Sequence, residues 1–364
     1  MVVTPWEFSG DIDYDKLIQR FGTQPLTEEI LDRIGDHSGG LHLQLRRGVV
    51  FSHRDMDRIL DWHDAGLPFV LYTGRGPSGP THLGHMVSWV FTKHLQDVFG
   101  SKLFFQITED ERFLMRSEFD EGIVRHWAFE NALDLMALGL DPENTELIAN
   151  IRHVPKLYET ALKVAKRVTG STVRAIFGHG DDANIGTMFF PAMQAAPCFL
   201  ASARSGERVP CLIPAGIDQD PFWRLTRDVA GKLRYPKPAQ LHCRMLSGLG
   251  GGAKMSSSRP ETAIYTTDPP EEAEKKIMDA YTGEAGGVRS GKGRKPAACS
   301  VYNYFFFLFE ESDDRLRELA ESCGSGARRC HECKAVLSER VEGFLLEHQA
   351  QREMMRGTVA DMLG

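Results

Sequence analysis

The chain has 364 residues, of which 42% are hydrophobic and 26% are charged, and its formal net charge is −7. These values are ordinary for a soluble globular protein, and the chain has no internal repeat or low-complexity tract. A net negative charge does not favour a protein that binds nucleic acid over its whole surface. No apolar run approaches the roughly 20 residues of a transmembrane helix, and residues 1–20 lack the basic start and apolar core of a secretory signal. We therefore expect a cytoplasmic protein without a membrane partner, built as two domains or as one large domain with an appendage.

The first 66 residues are polar, with broken hydrophobic patterns and turn signals at Gly35 and Gly39–Gly40. They predict an N-terminal appended segment. Within it, Leu41–Asp57 predicts a hairpin that turns across Arg46–Gly48.

A strand–loop–helix–strand unit follows this segment. Pro68–Thr73 has the apolar and β-branched bias of a strand, and it leads into a loop with glycines at 74, 76 and 79. A helix is predicted from His82–His85 to the stop signal at Gly100, and the next strand is Leu103–Ile107. The loop would lie at the carboxyl end of the first strand, where open parallel sheets hold ligands.

The start of this helix carries the first candidate site. The spacing matches neither G-x-G-x-x-G with its acidic partner nor the lysine-bearing phosphate loop. Instead, His82 and His85 flank Gly84 at a helix start, where free N–H groups favour a phosphate. Two imidazoles add donors, and the glycine leaves room for a flat base on the backbone. The alternative is a helix that begins with two solvated histidines.

The remaining elements are predicted from periodicity and from glycine and proline stops. They are helices at Phe119–Leu138, Pro155–Val168, Glu271–Tyr281, Tyr302–Phe309, Asp313–Glu321 and Lys334–Met355, and strands at Leu147–Ala149, Pro210–Pro214 and Ala239–Leu246. The change to helices alone after Asp268 predicts a separate helical domain.

The second candidate site is Gly248–Ser258, GLGGGAKMSSS, in which a glycine run joins Lys254 and three hydroxyls. Glycine loses much conformational entropy when it is ordered, so the segment is typical of a moving loop. The alternative is a flexible surface linker.

These two stretches resemble the two signatures of class I aminoacyl-tRNA synthetases, here HLGH at His82–His85 and KMSSS at Lys254–Ser258. The resemblance implies an α/β fold with a Rossmann-like parallel-sheet catalytic domain, a helical insertion and a C-terminal α-helical anticodon-binding domain. We accordingly predict domains at residues 1–66, 67–262 and 263–364, with the insertion at about 112–205.

The resemblance also implies the chemistry. In such enzymes an amino-acid carboxylate attacks the α-phosphorus of ATP, diphosphate leaves, and the acyl group passes to tRNA, with ATP and Mg²⁺ as cofactors. The implied catalytic residues are His82, His85, Lys254, Ser256, Ser257 and Ser258. The implied ATP site comprises Thr73, Gly74, Arg75, His82, Gly84, His85, Lys254 and Met255.

The sequence over most of the chain, including the segment IDQDPFWRLTRDVA that begins at Ile217, resembles tryptophanyl-tRNA synthetases of the eukaryotic and archaeal type. Five residues match those that hold L-tryptophan in that family: Tyr72, Gln106, Glu111, Gln194 and Gln219. An indole N–H only donates, so its site needs an acceptor. Tyrosyl enzymes place an aspartate after the QA dipeptide, where this chain has Ala196–Pro197.

The function implied is ATP-dependent formation of tryptophanyl-adenylate and transfer to the 3′ end of tRNA(Trp), with release of AMP and diphosphate. The family also implies a homodimer whose contact the insertion supplies. The alternatives are a tyrosyl-tRNA synthetase, a small-molecule adenylyltransferase of the same superfamily, and a degenerate synthetase that binds RNA without catalysis.

Four of the seven cysteines lie near the end of the chain: Cys299, Cys323, Cys330 and Cys333. They resemble the pattern by which some tryptophanyl-tRNA synthetases hold an iron–sulphur cluster, and four thiolates suit [4Fe–4S] or Zn²⁺. The alternatives are ordinary cytosolic thiols or, in a hyperthermophile, a disulfide.

Overall fold

The computed structural model describes residues 2–3, 8–9, 13–251, 255, 260–283 and 295–364. Nine strands lie in these ranges: Val2–Val3 (β1), Phe8–Ser9 (β2), Gln24–Pro25 (β3), Val50–Arg54 (β4), Val70–Arg75 (β5), Lys102–Ile107 (β6), Thr145–Ala149 (β7), Cys211–Gly216 (β8) and Ala239–Cys243 (β9). The same ranges hold sixteen α-helices: Tyr14–Phe21 (α1), Glu28–Ser38 (α2), Leu43–Arg46 (α3), Met56–Asp64 (α4), Leu83–Phe99 (α5), Glu109–Met115 (α6), Glu121–Met136 (α7), Val154–Ala165 (α8), Gly170–Phe177 (α9), Ile185–Ala195 (α10), Pro197–Ser205 (α11), Asp220–Leu233 (α12), Pro270–Met278 (α13), Ser300–Tyr304 (α14), Asp313–Gly324 (α15) and Cys330–Leu363 (α16).

Seven of the strands form one sheet in the order β3-β4-β9-β8-β5-β6-β7. The five strands from β9 to β7 are parallel, and β4 and β3 extend the β9 edge in antiparallel pairing. The chain leaves β5 towards β6 and β7 on one side, whereas β8 and β9 lie on the other. The order therefore reverses between β5 and β8, which is where open parallel sheets bind ligands. The predicted Rossmann-like parallel sheet is confirmed.

The predicted strand–loop–helix–strand unit is β5, α5 and β6. Helix α5 begins after His82, which is its N-cap, and it ends at Gly100, whose φ of +58° is a left-handed conformation that favours glycine. Side chains alternate between the two sheet faces. Leu71 and Phe105 join the core beneath α5, whereas Tyr72 and Phe104 join the core beneath α8, α10 and α12.

The predicted hairpin across Arg46–Gly48 is wrong. Residues Leu43–Arg46 form the short helix α3, and Gly48, at a φ of +61°, supplies the turn that follows it. Strand β4 then pairs with β3 on one side and with β9 on the other, so residues 50–54 complete the main sheet. A helix end and a hairpin turn both use a basic residue followed by glycine, and local sequence does not separate them.

Helices occupy the predicted stretches after Asp268. The predicted helix Tyr302–Phe309 is formed by the end of α14 and by a π-helical turn over Phe305–Phe309, and α16 is longer than predicted, at 34 residues. These helices pack into the core beneath α5. Helix α16 is tied to α7 through Arg352, which donates hydrogen bonds to Asp134 and Glu130. The domain boundaries at 66 and 262 stay predictions. In the described ranges no single helix is both long and apolar enough to cross a membrane, although the bent pair α10 and α11 passes that test together.

Candidate active site

A cavity of about 230 Å³ lies at the carboxyl ends of β5 and β8, at the point where the strand order reverses. Strand β5 contributes Thr73, Gly74 and Arg75 to its wall, and β8 contributes Ala215 and Gly216. The hydroxyl of Thr73 donates to the carbonyl of Pro214 at 3.0 Å, which ties the two strands together beside the opening.

The two histidines stand at the mouth of this cavity. The His82 backbone N–H donates to His85 Nδ1 at 3.2 Å, and the two rings stack with their centroids 3.7 Å apart. Gly84 permits this stacking, since a Cβ there would lie 3.0 Å from His82 Nδ1. Leu83 N–H donates to Ile264 O at 3.0 Å, so the helix start is held by the segment that follows the second signature. The first turn of α5 therefore presents two imidazoles to the cavity.

The second signature reaches the same cavity through Met255. Its side chain is buried and lines the cavity wall, and its backbone N–H donates to Leu246 O at 3.3 Å. A Cβ at Gly84 would lie 3.6 Å from the Met255 Cβ. The predicted residues Lys254, Ser256, Ser257 and Ser258 lie outside the described residues. The described part of the second signature thus meets the first at one site.

Arg75 provides a buried cation beside the histidines. It donates to the carbonyls of Gly79 and Pro80 at 3.2 and 3.1 Å, while its Nε and Nη1 have no hydrogen-bond partner among the described residues. Burial lowers the pKa of this guanidinium to about 9, which still leaves it charged at neutral pH. A buried charge with unsatisfied donors that lines a cavity suits an anionic ligand.

Three of the five predicted tryptophan residues line the cavity: Glu111, Gln194 and Gln219. Gln194 lines the cavity, and its buried Oε1 has no partner in the described part of the chain. Glu111 accepts from Thr108 Oγ1 at 3.0 Å, and Gln219 Nε2 donates to Asp218 at 3.2 Å. Acceptors and a carboxylate grouped in this way suit a ligand ammonium.

The other two predicted residues, Tyr72 and Gln106, are fully buried and lie behind the cavity wall rather than on it. The Tyr72 hydroxyl donates to Gln106 Oε1 at 2.5 Å and lies 3.0 Å from the carbonyl of Gln194. Burial raises the pKa of Tyr72 well above its usual value, so the hydroxyl keeps its proton. Tyr72 contacts two residues of the cavity wall, Gln194 through its hydroxyl and Trp223 through an edge-to-face ring contact at 5.3 Å.

Residues 65–346 match the family model described as tRNA synthetases class I (W and Y). A tryptophan–tRNA ligase of Pyrobaculum calidifontis is 45% identical to the chain over 360 residues, which are 98% of this chain and 96% of that protein. The chain belongs to the tryptophanyl family of class I aminoacyl-tRNA synthetases. The ligase of Pyrococcus abyssi is 45% identical over 356 residues, covering 96% of this chain and 91% of that protein.

Solved structures of the family agree with the fold. The tryptophanyl-tRNA synthetase of Encephalitozoon cuniculi, solved with bound tryptophan, superposes with a TM-score of 0.89 at 34% identity and covers 98% of each chain. The family predicted from HLGH and KMSSS is thereby confirmed, and the tyrosyl alternative is not favoured.

Sequence reasoning missed several residues that shape the site in this chain. The cavity wall also includes Ser78, Trp89, Arg112, Phe190, Phe222 and Trp223. Asn150 lies behind the wall and receives a hydrogen bond from Gln106. Its only sequence signal is that a polar residue directly follows a short buried strand, a position where ligand sites of parallel sheets occur.

The four C-terminal cysteines line one small cavity at the start of α16, and none of them forms a disulfide. No group of three or more His, Cys, Asp or Glu among the described residues is arranged to hold a metal ion, however. The structure therefore gives the predicted [4Fe–4S] or zinc site no support. The other three cysteines, Cys198, Cys211 and Cys243, are buried in the core.

Proposed function

We propose that this cavity activates L-tryptophan with ATP and that the tryptophanyl group then passes to the 3′ end of tRNA(Trp), with release of AMP and diphosphate. The observation that carries the proposal is the meeting of His82, His85 and Met255 at one cavity that also contains Gln194 and Glu111. Candidate phosphate donors and candidate ammonium acceptors would then share one cavity. This is the arrangement needed for a carboxylate to attack an α-phosphorus.

The amino-acid end would be held by its charges. The ligand ammonium would donate to the unpartnered Gln194 Oε1 and to Glu111, whereas the amide of Gln219 would bind the ammonium or the carboxylate. Hydrogen bonds to a charged ligand group contribute roughly 1.5–3 kcal/mol each. Three such residues can therefore orient the ligand carboxylate towards the nucleotide.

The nucleotide end would be held by the first signature. His82 and His85 would donate to the phosphates, the spare donors of Arg75 would add positive charge, and the open backbone at Gly84 would admit the base. Enzymes of this class use ATP with Mg²⁺, which offsets the phosphate charge. Lys254, Ser256, Ser257 and Ser258 would follow the charge that develops on the leaving diphosphate.

Tyr72 and Gln106 would recognise the indole N–H of the ligand. The Tyr72 hydroxyl directs its proton towards oxygen acceptors of the protein, so its lone pairs are available to a ligand N–H. The apolar remainder of the indole would pack on Phe190 and Trp223 of the cavity wall.

Amino-acid-dependent ATP–diphosphate exchange tests this function. We expect exchange with tryptophan and almost none with tyrosine, followed by charging of tRNA(Trp). Exchange with tyrosine at a comparable rate would contradict the substrate, and exchange without charging would leave only an adenylyltransferase.

We further propose that the protein is a homodimer joined through its insertion. Six large apolar side chains of the insertion are exposed, on α6, α7, α8 and α10: Phe113, Ile123, Val154, Tyr158, Leu162 and Ile185. Ile185 alone is 89% exposed, and large exposed apolar side chains favour a protein partner. Sedimentation should find a dimer that Ile185→Asp dissociates, whereas Leu346→Asp, at an exposed apolar position of α16, should not.

The metal hypothesis for Cys299, Cys323, Cys330 and Cys333 is tested by metal and sulphide analysis of protein purified without oxygen. The four thiols line one small cavity, although no three of the described His, Cys, Asp or Glu side chains are placed to hold a metal ion. A protein free of iron, zinc and labile sulphide would exclude both proposed occupants.

A further inference from the structure

The indole end of the site continues into a line of hydrogen-bonded side chains. Tyr72 donates to Gln106 Oε1 at 2.5 Å, Gln106 Nε2 donates to Asn150 Oδ1 at 2.8 Å, and Asn150 Nδ2 donates to Asp110 Oδ1 at 2.8 Å. Gln106 and Asn150 are completely buried, so neither amide can turn to water for an alternative partner. Each member of the line therefore constrains the next.

At the Tyr72 end of this line, a backbone carbonyl helps to determine which atom of the Gln106 amide donates and which accepts. Gln106 Nε2 also donates to the carbonyl of Met193 at 3.1 Å, and that carbonyl can only accept. Met193 O accepts from the Ala196 N–H at 3.3 Å, and it has room for Gln106 as a second donor because helix α10 ends at Ala195. In an unbroken helix the N–H of residue 197 would occupy this carbonyl, but Pro197 has no N–H. The helix break thus supplies one of the two acceptors that hold the Gln106 nitrogen away from Tyr72, and Asn150 Oδ1, at the shorter distance of 2.8 Å, supplies the other.

Asn150 is held equally firmly at the other end. It directly follows β7, and its backbone N–H donates to Ile107 O at 3.0 Å. Asp110 Oδ1 accepts both from Asn150 Nδ2 and, at 2.9 Å, from the N–H of Glu111. Burial raises the pKa of Asp110 to about 7. Because Oδ1 can accept whether or not the carboxyl group carries a proton, the Asn150 amide keeps its nitrogen towards Asp110 and its oxygen towards Gln106.

We infer that Asn150, anchored by Asp110, is a specificity-determining positioning residue that keeps the Gln106 amide oxygen towards Tyr72 and makes this end of the site an acceptor for a ligand N–H. The inference rests on the proposed function, in which Tyr72 and Gln106 receive the indole N–H. A reversed Gln106 amide would turn its NH2 donor towards Tyr72 and the ligand, while the Tyr72 proton would turn to the Gln194 carbonyl 3.0 Å away. The site would then present a donor to a group that can only donate.

The test compares two substrates that differ only in this group. Exchange kcat/KM is measured with tryptophan and with β-(3-benzothienyl)alanine, in which sulphur replaces the indole N–H. The wild-type protein should prefer tryptophan ~10²-fold or more, because the analogue leaves a buried acceptor unpaired. Asn150→Ala should lower kcat/KM for tryptophan ~30-fold and for the analogue less than ~3-fold, since only tryptophan uses the aligned acceptor.

Gln96→Ala is the matched control. Gln96, near the end of α5, is a buried amide that also has three partners: it accepts from Asp141 N–H and donates to Thr145 Oγ1 and Asn144 O. These partners lie at or near the amino end of β7, and Gln96 does not line the cavity. Gln96→Ala should change the exchange kcat/KM by the same factor for both substrates. A second pair, Asp110→Asn and Asp110→Leu, makes the same comparison if Asn150→Ala folds poorly. Asp110→Asn keeps an acceptor for Asn150 and should retain the preference for tryptophan over the analogue. Asp110→Leu has no acceptor and should lose this preference.

Equal losses for both substrates in Asn150→Ala, or in Asp110→Leu if that pair is used, would overturn the inference and leave the proposed function standing. A wild-type protein without tryptophan-dependent exchange would overturn the proposed function and this inference with it.

Discussion

The two ends of the cavity differ in how far their polar groups are already satisfied. At the phosphate end, Arg75 is buried with two donor nitrogens that have no partner in the described part of the chain. At the indole end, Tyr72, Gln106, Asn150 and Asp110 form one connected line of hydrogen bonds. At the phosphate end, donors gain hydrogen-bond partners only when the ligand binds. At the indole end, the side chains are already hydrogen-bonded to one another without the ligand.

This difference suggests that the phosphate end determines the rate of the chemical step and that the indole end determines which amino acid is selected. Groups that gain partners only as charge develops lower the barrier of the chemical step. Groups that are aligned beforehand discriminate between ligands, because a ligand that does not match leaves them unpaired. We therefore expect substitutions at the phosphate end to change kcat and substitutions at the indole end to change substrate preference.

The largest effect is expected for Lys254→Ala. Loss of a charge that stabilises the leaving diphosphate should lower kcat for exchange by ~10²–10³-fold, as for other transition-state donors. KM for tryptophan should change by less than ~3-fold, because ground-state binding is not affected. Steady-state exchange kinetics measure both quantities, and a parallel loss of rate and tryptophan affinity would break the proposed separation.

Gln106→Ala should show the converse behaviour at the indole end. Removal of the aligned acceptor should lower kcat/KM for tryptophan by ~10²-fold while KM for ATP stays nearly constant. Thermal unfolding should confirm that the fold is intact, with Gln96→Ala as the control for the loss of a buried amide. Unchanged preference for tryptophan over its benzothienyl analogue would remove Gln106 from the site.

Gln194→Ala probes the middle of the cavity and should have a smaller effect. One hydrogen bond to the ligand ammonium is worth roughly 1.5 kcal/mol, so KM for tryptophan should rise ~10-fold. Inhibition by indole-3-propionate, which has no ammonium group, should change little. If inhibition by this compound weakens as much as tryptophan binding does, then Gln194 does not hold the ammonium.

The smallest effect is expected for the coupling energy between Lys254→Ala and Gln106→Ala, measured with the double variant. If the two ends act independently, their free-energy changes in kcat/KM should add within ~0.5 kcal/mol. A double-mutant cycle from exchange kinetics gives this value. A coupling well above 1 kcal/mol would show that alignment of the indole contributes directly to the chemical step.

Local sequence signals were sufficient for the centre of the fold. Strand β5, helix α5 and strand β6 follow from alternating and helical apolar spacing, and Gly100 marks the helix end. Helix α16 starts four residues earlier than predicted because its first turn has few apolar residues. Its start is instead marked by a cap, in which Glu332 accepts from the Arg329 N–H at 2.9 Å.

The candidate site could be predicted only in part. The resemblance supplied Gln194 and Glu111, which line the cavity, but it could not indicate that Tyr72 and Gln106 are covered by the wall. Asn150 and Pro197 both act on Gln106 through contacts that are distant in the sequence. The Asn150 amide, 44 positions away, accepts from Gln106, and the helix break at Pro197 lets the Met193 carbonyl accept from it as well. Such contacts depend on which strands become neighbours, and that is a property of the tertiary fold.

A structure of the protein with a non-hydrolysable analogue of tryptophanyl-adenylate tests the central claim most directly. We predict that the indole N–H lies within hydrogen-bond distance of Tyr72 or Gln106 and that the phosphate mimic lies against His82 and His85 at the start of α5. An analogue bound with its indole among the histidines, or outside the cavity at the ends of β5 and β8, would contradict the assignment.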